Sequence, residues 1–407
     1  MPTLLSVNNY YYRRGGAETV FLEHNSIFEG LGWGVVPFSM THPRNQASPW
    51  SRFFVDELEL GSDYSFAEKL ARVPKVIYSM EARAKLRALL EVSSPDICHI
   101  HNLYHHISPS ILGVLHQRGI PTVMTLHDLK VACPAYNMLA RDGICERCRG
   151  GKLRNVVLNR CIKGSLALSS VIWAEATLHR MLGSYTRHVD RFVVPSRFYM
   201  AKLAEWGMPA EQLTHVPNFV AASEHEPRFQ PGSDFVYVGR LSPEKGVATL
   251  IRAASAAGVS LRVVGTGPQR TELEALAASL PGDIRFEGFL SGGALHEALR
   301  RSRAFVVPSE WYENAPMTIL EGYALGKPCI GSRIAGIPEM VREGQTGFCF
   351  PPGDEAALAA TLKRVAGLSD MEVFRLGEQS RSWVETEFSV ARYVERVTAL
   401  YRELGAA

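Results

Sequence analysis

Two glutamates in the C-terminal half have the type and spacing needed to hold a long polar ligand. Glu313 and Glu321 lie in AFVVPSEWYENAPMTILE, which opens as a buried strand and closes as a helix that can start at Ala315-Pro316. Eight positions separate the two carboxylates, which corresponds to roughly 12 Å of helix. The paired carboxylates of a retaining glycosidase are only about 5 Å apart. The spacing therefore favours a single ligand with hydroxyl groups at both ends and charge between them.

Positive groups are available for the charge in the middle of such a ligand. Arg240 and Lys245 lie in GRLSPEKG, directly after an apolar run. The start of the later helix, at Pro316, Met317 and Thr318, offers unpaired N–H groups and a positive dipole end. Together these groups can stabilise negative charge as it develops on a ligand. We therefore expect no catalytic metal.

A glycine turn, Gly265-Thr266-Gly267, follows another apolar run and allows a ligand to approach the backbone. Arg270 stands where a dinucleotide-binding fingerprint would place its third glycine. The turn also lies in the second half of the chain, whereas that fingerprint normally follows the first strand of its domain. Both observations argue against an oxidoreductase.

The N-terminal half has a comparable corner between a strand and a helix. The predicted strand Leu4–Val7 leads to Gly15 and Gly16, which precede a helix of about fourteen residues. Two adjacent glycines at such a corner either form an ordinary tight turn or let a phosphate approach the backbone.

Histidines follow two further strands. The predicted strand Thr122–Leu126 ends at His127 and Asp128, and we expect the carboxylate to fix which nitrogen of His127 carries the proton. His99 and His101 alternate on one face of the preceding strand. Metal binding is one interpretation of this histidine-rich segment, and lining of a ligand site is the one we favour.

Four cysteines have the spacing C-x11-C-x2-C-x12-C and are Cys133, Cys145, Cys148 and Cys161. Four thiolates suit tetrahedral Zn²⁺, and a long loop without a hydrophobic core of its own needs a stabilising cross-link of this kind. We expect a structural zinc, with free thiols, an iron–sulfur cluster or a disulfide as the alternatives.

Basic residues accompany these cysteines. The segment Arg141–Lys163 carries seven basic and two acidic side chains, and the apolar run Ser165–Leu182 follows it. Together they could contact an anionic lipid or a lipid diphosphate, or the run could pack on the domain core. The mixed basic and apolar segment Phe66–Glu91 has the same two interpretations, a membrane-surface helix or a solvated helix face.

The composition is that of a globular protein. The chain has 407 residues, 46% of them hydrophobic, and a net charge of +3 that is concentrated in the first half. The N-terminus has no basic leader followed by an apolar core, and no apolar run reaches the roughly 18 residues of a membrane span. We expect a cytoplasmic protein, with contact at the inner face of the membrane, and no nucleic-acid partner.

Alternating strands and helices predict two doubly wound α/β domains. The strands expected after the first are Asp96–His101, Thr122–Leu126, His188–Val194, Asp234–Val238, Leu261–Val264, Ile284–Phe286, Ala304–Val307, Cys329-Ile330 and Phe348–Phe350. We place the domains at 1–217, with a Cys-rich insertion at 133–163, and at 218–388. An amphipathic helix, Ser389–Leu404, lies in the remaining segment 389–407.

These ordered motifs resemble family 4 of the glycosyltransferases, which are retaining enzymes of the GT-B fold, and the resemblance spans nearly the whole chain. It implies two Rossmann-like domains facing a cleft, with the C-terminal helix crossing back to the first domain. It further implies that Glu313 holds sugar hydroxyls, that Glu321 holds the ribose and that His127 contacts the transferred sugar. Gly15 and Gly16 would face the donor phosphate and the acceptor.

The resemblance implies transfer of a hexose from a UDP or GDP sugar to a glycan or lipid-linked saccharide, in cell-surface polysaccharide biosynthesis. A sugar-nucleotide epimerase on the same fold is the alternative. The common family pattern after the first glutamate is Phe-Gly, whereas this chain has Asn314-Ala315. The identity of the sugar therefore does not follow from the resemblance.

Overall fold

The computed structural model describes residues 1–58, 66–140 and 142–406. The chain forms two compact units. The first consists of Met1–Val216 and Glu395–Ala407, and the second of Pro217–Val394. Each unit contains a six-stranded parallel sheet with helices between the strands, which confirms the predicted pair of doubly wound α/β domains.

The first unit is built on strands and helices of ordinary length. Its strands are β1 Thr3–Val7, β2 Gly34–Phe38, β3 Ile97–Ile100, β4 Thr122–Thr125, β5 Leu139–Ala140, β6 Gly143–Ile144, β7 Arg191–Val194 and β8 Leu213–His215. Its helices are α1 Gly16–Gly30, α2 Phe66–Ile77, α3 Met80–Leu90, α4 Tyr104–Ile107, α5 Leu112–Gln117, α6 Asn155–Leu158, α7 Leu166–Leu182, α8 Ser184–His188 and α9 Arg197–Glu205. The main sheet has the order β2-β1-β3-β4-β7-β8, and β5 pairs with β6 inside the Cys-rich insertion.

Two strands of this sheet escape sequence-based prediction because both lie at an edge. Strand β2 contains Gly34 and Pro37, residues that disfavour a strand assignment. Proline is tolerated there because an edge strand need not pair on both sides. Strand β8 has only three residues and merges with the linker that follows it. The segment Phe66–Glu91 forms two helices, since Ser79 caps α3 and separates it from α2.

The second unit repeats the architecture with the strand order β11-β10-β9-β12-β13-β14. Its strands are β9 Phe235–Val238, β10 Leu261–Val264, β11 Ile284–Gly288, β12 Ala304–Val307, β13 Cys329–Ser332 and β14 Gly347–Phe350. Its helices are α10 Val247–Ala257, α11 Arg270–Ala278, α12 Gly292–Arg300, α13 Met317–Ala324, α14 Glu355–Ala366 and α15 Asp370–Glu387. The last helix, α16 Val390–Glu403, begins in this unit and ends in the first.

Both faces of the second sheet are buried. Phe305 of β12 packs into one apolar cluster, whereas its neighbours Ala304 and Val306 pack into another on the opposite face. This alternation follows from the two-residue period of a strand. It explains why the strand reads as a continuous apolar run, as expected for a parallel sheet covered by helices on both sides.

Among the described residues, none of the helices is long and apolar enough to cross a membrane.

Candidate functional site

The predicted cations and carboxylate of the second unit follow the two strands at which the strand order reverses. Strands β9 and β12 lie side by side, but the chain continues from them to opposite halves of the sheet. Open α/β sheets bind ligands at such a switch point, beyond the carboxyl ends of the strands. Arg240 and Lys245 follow β9, and Glu313 follows β12. The topology therefore places these side chains at the edge where a ligand is expected.

Lys245 and Glu313 form a direct ion pair. The Nζ atom of Lys245 lies 2.5 Å from Oε1 of Glu313, and Ser309 donates a hydrogen bond of 2.8 Å to the same oxygen. The Lys245 ammonium also lies 5.1 Å from the centre of the Trp311 ring. The carboxylate is buried, with 8% of Glu313 exposed. The pair thus joins a candidate phosphate-binding cation to a candidate sugar-binding carboxylate.

The charge state of Glu313 depends on this pairing. Burial alone would raise the pKa of Glu313, because water no longer stabilises its charge, but the charge and hydrogen bond of Lys245 hold the pKa below its ordinary value. Glu313 is therefore ionised at neutral pH. An ionised carboxylate can only accept hydrogen bonds, which suits a partner rich in hydroxyl groups.

Close backbone packing fixes the loops that carry these residues. Gly246, which follows Lys245, has φ +66°, and a Cβ there would lie 2.0 Å from the carbonyl oxygen of Pro308. The loops are also tied together by a hydrogen bond from the N–H of Glu310 to the carbonyl of Glu244, at 2.9 Å. A side chain at position 246 would push the two loops apart, so glycine is required for the Lys245–Glu313 contact.

The glycine turn after β10 packs in the same way. Gly265 has φ +137°, and a Cβ there would lie 1.9 Å from the Gly239 carbonyl oxygen. A Cβ on Gly267 would lie 2.1 Å from the carbonyl oxygen of Leu241. The turn therefore lies against the backbone on both sides of Arg240. The Arg240 side chain itself is exposed, while its carbonyl accepts a 2.8 Å hydrogen bond from the Tyr237 hydroxyl.

The helix behind Glu313 begins one residue later than its proline suggests. Pro316 is the N-cap, with an extended ψ of 122°, and α13 starts at Met317 with Thr318 as its second residue. No side chain caps this end. The predicted start at Ala315-Pro316 is thus wrong by one position, because proline here ends the loop instead of opening the helix. Glu321 lies on the same helix and is half-buried.

In the first unit, the predicted glycines lie at the start of α1. Gly15 is the extended N-cap and Gly16 the first helical residue, and both are exposed. No side chain caps the helix. Glu18 in the first turn is buried, and burial raises its pKa despite the opposing effects of nearby backbone N–H groups and Arg14. The corner follows β1, beside the switch between β1 and β3 in this sheet.

His127 has a different partner from the one predicted. Its Nε2 lies 3.1 Å from Nδ1 of His101. The Asp128 carboxylate instead accepts hydrogen bonds from the Tyr104 hydroxyl, at 2.8 Å, and from the N–H of Lys130, at 2.9 Å. Burial lowers the pKa of His127 to about 4 and raises that of Asp128 to about 6. His127 is therefore neutral at physiological pH. Its contact with His101 determines which of its two ring nitrogens carries the proton.

A buried network of polar side chains extends from this contact. His99 Nδ1 lies 2.5 Å from the hydroxyl of Tyr401 in α16, and His99 Nε2 lies 2.7 Å from Thr125 Oγ1. The same hydroxyl lies 3.2 Å from His24 Nε2. The ring of His101 stacks between those of His99 and His127, at 4.8 and 5.3 Å. Burial lowers the pKa of each of these four imidazoles, so all four are neutral at physiological pH.

These contacts decide the tautomer of His127. Nε2 of His101 is buried and has no hydrogen-bond partner in the part of the chain that the structure describes. A proton on that atom would be an unsatisfied buried donor, which is more costly than an unused lone pair. We therefore expect His101 to carry its proton on Nδ1 and to donate it to His127 Nε2. The proton of a neutral His127 then lies on Nδ1.

Two groups of residues are candidates for holding a metal. Within the described ranges, His24, His99 and His101 are the only three candidate ligands whose atoms all lie within 4.8 Å of one another. Both nitrogens of His99 are already hydrogen-bonded, so a metal would have to displace Tyr401 or Thr125. The arrangement is that of a satisfied hydrogen-bond chain.

The four cysteines of the insertion are unbridged thiols. They are close enough that Cys133, Cys161 and Cys145 all add to the effect of burial in raising the pKa of Cys148, to about 12. Among the described residues, no three of these sulfur atoms lie close enough together to hold a metal ion. The ligand set thus fits zinc in number and kind but is wider than a formed tetrahedral site. Arg141, the first residue of the predicted basic segment, lies outside the described residues.

Sequence reasoning missed several residues that complete the site. Ser309 lies four residues before Glu313, a spacing without a known signature, and Tyr401 lies 302 residues from His99. Gly246 carried a usable signal, since a glycine directly after a candidate phosphate-binding lysine often marks close backbone approach.

Two family profiles match the chain. A profile described as Glycosyltransferase Family 4 matches residues 14–224, and one described as Glycosyl transferases group 1 matches residues 222–383. The chain belongs to glycosyltransferase family 4. Over 60% of both chains, this family 4 protein is 29% identical to glycogen synthase of Mycobacterium tuberculosis. It is 26% identical to the amylovoran biosynthesis glycosyltransferase AmsK of Erwinia amylovora, over 48% of this chain and 51% of AmsK.

The family 4 fold is also found in solved structures. Anabaena HepE, crystallised with UDP and glucose, superposes with a TM-score of 0.68 over 99% of both chains at 14% identity. This likeness confirms the two-domain GT-B fold. The chain spans about half the length of the curated relatives it matches.

Proposed function

We propose that the protein is a retaining glycosyltransferase that moves a hexose from a nucleoside-diphosphate sugar to a glycan or a lipid-linked saccharide. The observation that carries the proposal is the Lys245–Glu313 pair at the switch point of the second sheet. One side chain can neutralise a departing phosphate, and the other can accept hydrogen bonds from sugar hydroxyls. Because the two touch, both functions would act on adjacent parts of one donor molecule.

In the proposed reaction, the bond from the anomeric carbon to the diphosphate oxygen breaks as the acceptor oxygen bonds to the same carbon. The acceptor proton passes to the departing phosphate oxygen. Arg240, Lys245 and the uncapped start of α13 stabilise the negative charge on that group as it forms. Gly265 and Gly267 keep the adjoining backbone close to the phosphates, and Glu321 binds the ribose. No protein nucleophile is required.

The first unit supplies the acceptor side in this proposal. Gly15 and Gly16 are exposed at the start of α1, where the helix dipole favours an anion. His127, held neutral by burial, offers a hydrogen-bond donor to the transferred sugar. Because a neutral imidazole adds no net charge, it can bind a sugar hydroxyl without competing for the phosphates.

The donor is proposed to be a UDP or GDP hexose. Anabaena HepE binds UDP and glucose in its crystal structure, and AmsK is named for amylovoran biosynthesis. These two proteins support a nucleotide-sugar donor and a role in exopolysaccharide synthesis. The epimerase alternative is not favoured, since both matching profiles describe glycosyltransferases.

Release of nucleoside diphosphate from a panel of UDP and GDP sugars tests the proposal. We expect one donor to be hydrolysed slowly without acceptor, with the anomeric configuration of any transferred sugar retained. Absence of hydrolysis and of nucleotide binding across the whole panel, in correctly folded protein, would refute the transferase assignment.

We also propose that Cys133, Cys145, Cys148 and Cys161 hold one structural zinc that orders the insertion. The insertion has little regular structure and needs another source of stability. Four of the six described non-glycine residues with positive φ lie within it, namely Tyr136, Met138, Arg160 and Lys163. Such backbone is strained, by roughly 1 kcal/mol or more per residue. Zinc binding would compensate for this strain as it draws the sulfur atoms together.

A further inference from the structure

Helix α7 of the first unit buries mainly polar side chains. Its buried residues are Ser169, Ile172, Glu175 and His179, of which only Ile172 is apolar. The three polar ones are satisfied inside the fold. Ser169 accepts from the N–H of Ile162, Glu175 pairs with Lys130 at 2.7 Å, and His179 bonds to Ser184 and to the carbonyl of Ile77. The helix is therefore anchored largely by polar contacts, with Ile172 as its one fully buried apolar side chain.

Several large apolar side chains of α7 face solvent. Leu166, Trp173 and Met181 are 54%, 40% and 77% exposed. At about 100° of rotation per residue, they fall within an arc of about 80° on one side of the helix. Helix α6 packs on α7 and adds Leu158, which is 71% exposed. Soluble proteins seldom expose a contiguous apolar surface of this kind unless it binds something.

Basic residues surround this apolar stripe. Arg180 lies two turns beyond Trp173 on the same side of α7 and is exposed. Its guanidinium lies against Gly151, where an added Cβ would be 2.9 Å away, and this contact joins α7 to the exposed Lys152 and Arg154. The exposed Arg160 follows α6. Within the described part of the chain, none of the four basic residues forms an ion pair, so their charge is available to a partner.

We propose that this surface, formed by Leu158, Leu166, Trp173 and Met181 with Lys152, Arg154, Arg160 and Arg180, docks on a membrane that contains anionic lipid. An apolar stripe bordered by Lys and Arg is the arrangement by which a helix lies in the interface of a bilayer, with its apolar side chains among the acyl chains. The basic residues then meet lipid headgroups of opposite charge.

Charge argues against a second copy of the chain as the occupant. A two-fold interface brings the same patch of both copies together. It would place the basic residues of each copy beside those of the other, and such like-charge contacts are unfavourable. The proposal does not depend on transferase activity, because docking can be measured without a sugar donor.

Vesicle co-sedimentation of the full-length protein tests the proposal. We expect binding to phosphatidylcholine vesicles that contain about 30% phosphatidylglycerol, little binding to pure phosphatidylcholine, and release by salt. The double variant Leu158→Ser/Met181→Ser should reduce the partition coefficient at least about 10-fold, and so should Arg154→Glu/Arg160→Glu. Since all four side chains are exposed, these changes should leave the fold intact.

The matched control is Phe289→Ser/Met371→Ser, which removes two side chains of the second unit that are 73% and 60% exposed. It should bind vesicles like the wild type. Lipids brominated on the acyl chain should quench the fluorescence of the wild type more than that of Trp173→Phe, since Trp173 is the tryptophan expected to insert.

Three results would overturn the proposal. The first is absence of binding to anionic vesicles, and the second is an equal loss of binding in the control. The third is concentration-dependent dimerisation without lipid that the Leu158→Ser/Met181→Ser variant abolishes.

Discussion

Replacing Lys245 by alanine should change both the rate of the reaction and its dependence on pH. The rate should fall because the side chain is positioned to stabilise charge on the departing diphosphate. Removing one such group from an enzyme site lowers turnover by roughly 10²–10³, or about 3–4 kcal/mol. The 2.5 Å contact with Glu313 adds a second effect.

The second effect follows from the burial of Glu313. In the wild type, Lys245 holds the pKa of Glu313 below its ordinary value against the opposing effect of burial. The stability contributed by this pairing is therefore present above the ordinary pKa of a glutamate and is lost only as the pH falls through the lower folded value. Without Lys245, the effect of burial is less compensated, and the pKa of Glu313 rises. The acid limb of the pH–rate profile should then move to higher pH.

The assay is donor hydrolysis, or transfer once an acceptor is found, measured from pH 4 to 8. Lys245→Arg keeps the charge and should show a smaller loss and little shift of the acid limb. Lys363→Ala, an exposed lysine on α14, is the matched control and should resemble the wild type. Unchanged turnover and an unshifted acid limb in folded Lys245→Ala would refute both the phosphate role and the electrostatic coupling.

Three further predictions concern other parts of the protein. Glu321→Gln should weaken binding of the nucleoside diphosphate alone by roughly 10–100-fold in calorimetry, as expected for loss of a charged hydrogen bond; equal affinity would make Glu321 a structural residue. ¹⁵N NMR should show the His127 proton on Nδ1, and His101→Asn, whose amide can replace the Nδ1 donor, should retain more activity than His101→Gln, whose amide lies near the position of Nε2; an Nε2–H tautomer would contradict the assignment. Protein purified without added metal should contain about one equivalent of zinc, which Cys148→Ser should remove and Cys349→Ser should not; less than about one tenth of an equivalent, with four titratable thiols, would remove the metal site.

The sequence predicts those parts of the fold and the site that depend on local pattern. Buried strands such as Ala304–Val307 read as apolar runs, and residues just beyond them can be assigned to one edge of the sheet because parallel strands end there. Edge strands were missed because Pro37 and the shortness of β8 obscure their pattern. The types of the residues at this edge of the sheet were sufficient to indicate an anionic ligand.

Contacts between residues distant in the chain were beyond prediction. Asp128 follows His127 directly, so adjacency suggested an interaction, but the Asp128 carboxylate accepts hydrogen bonds from Tyr104 and Lys130 instead. The actual partner, His101, directly follows the neighbouring strand β3. The exposed apolar side chains of α7 were equally hidden, because periodicity shows that a helix has two faces without showing which one is covered.

The order in which the two units occur along the chain affects how the protein folds during synthesis. The second unit is one continuous segment, Pro217–Val394, whereas the first also includes residues from the end of the chain. Tyr401 and Val397 of that end are fully buried, and the Tyr401 hydroxyl contacts His24 and His99. On the ribosome, the second unit can therefore complete its core while the unit made first still waits for its last helix, the reverse of the usual N-terminal-first order.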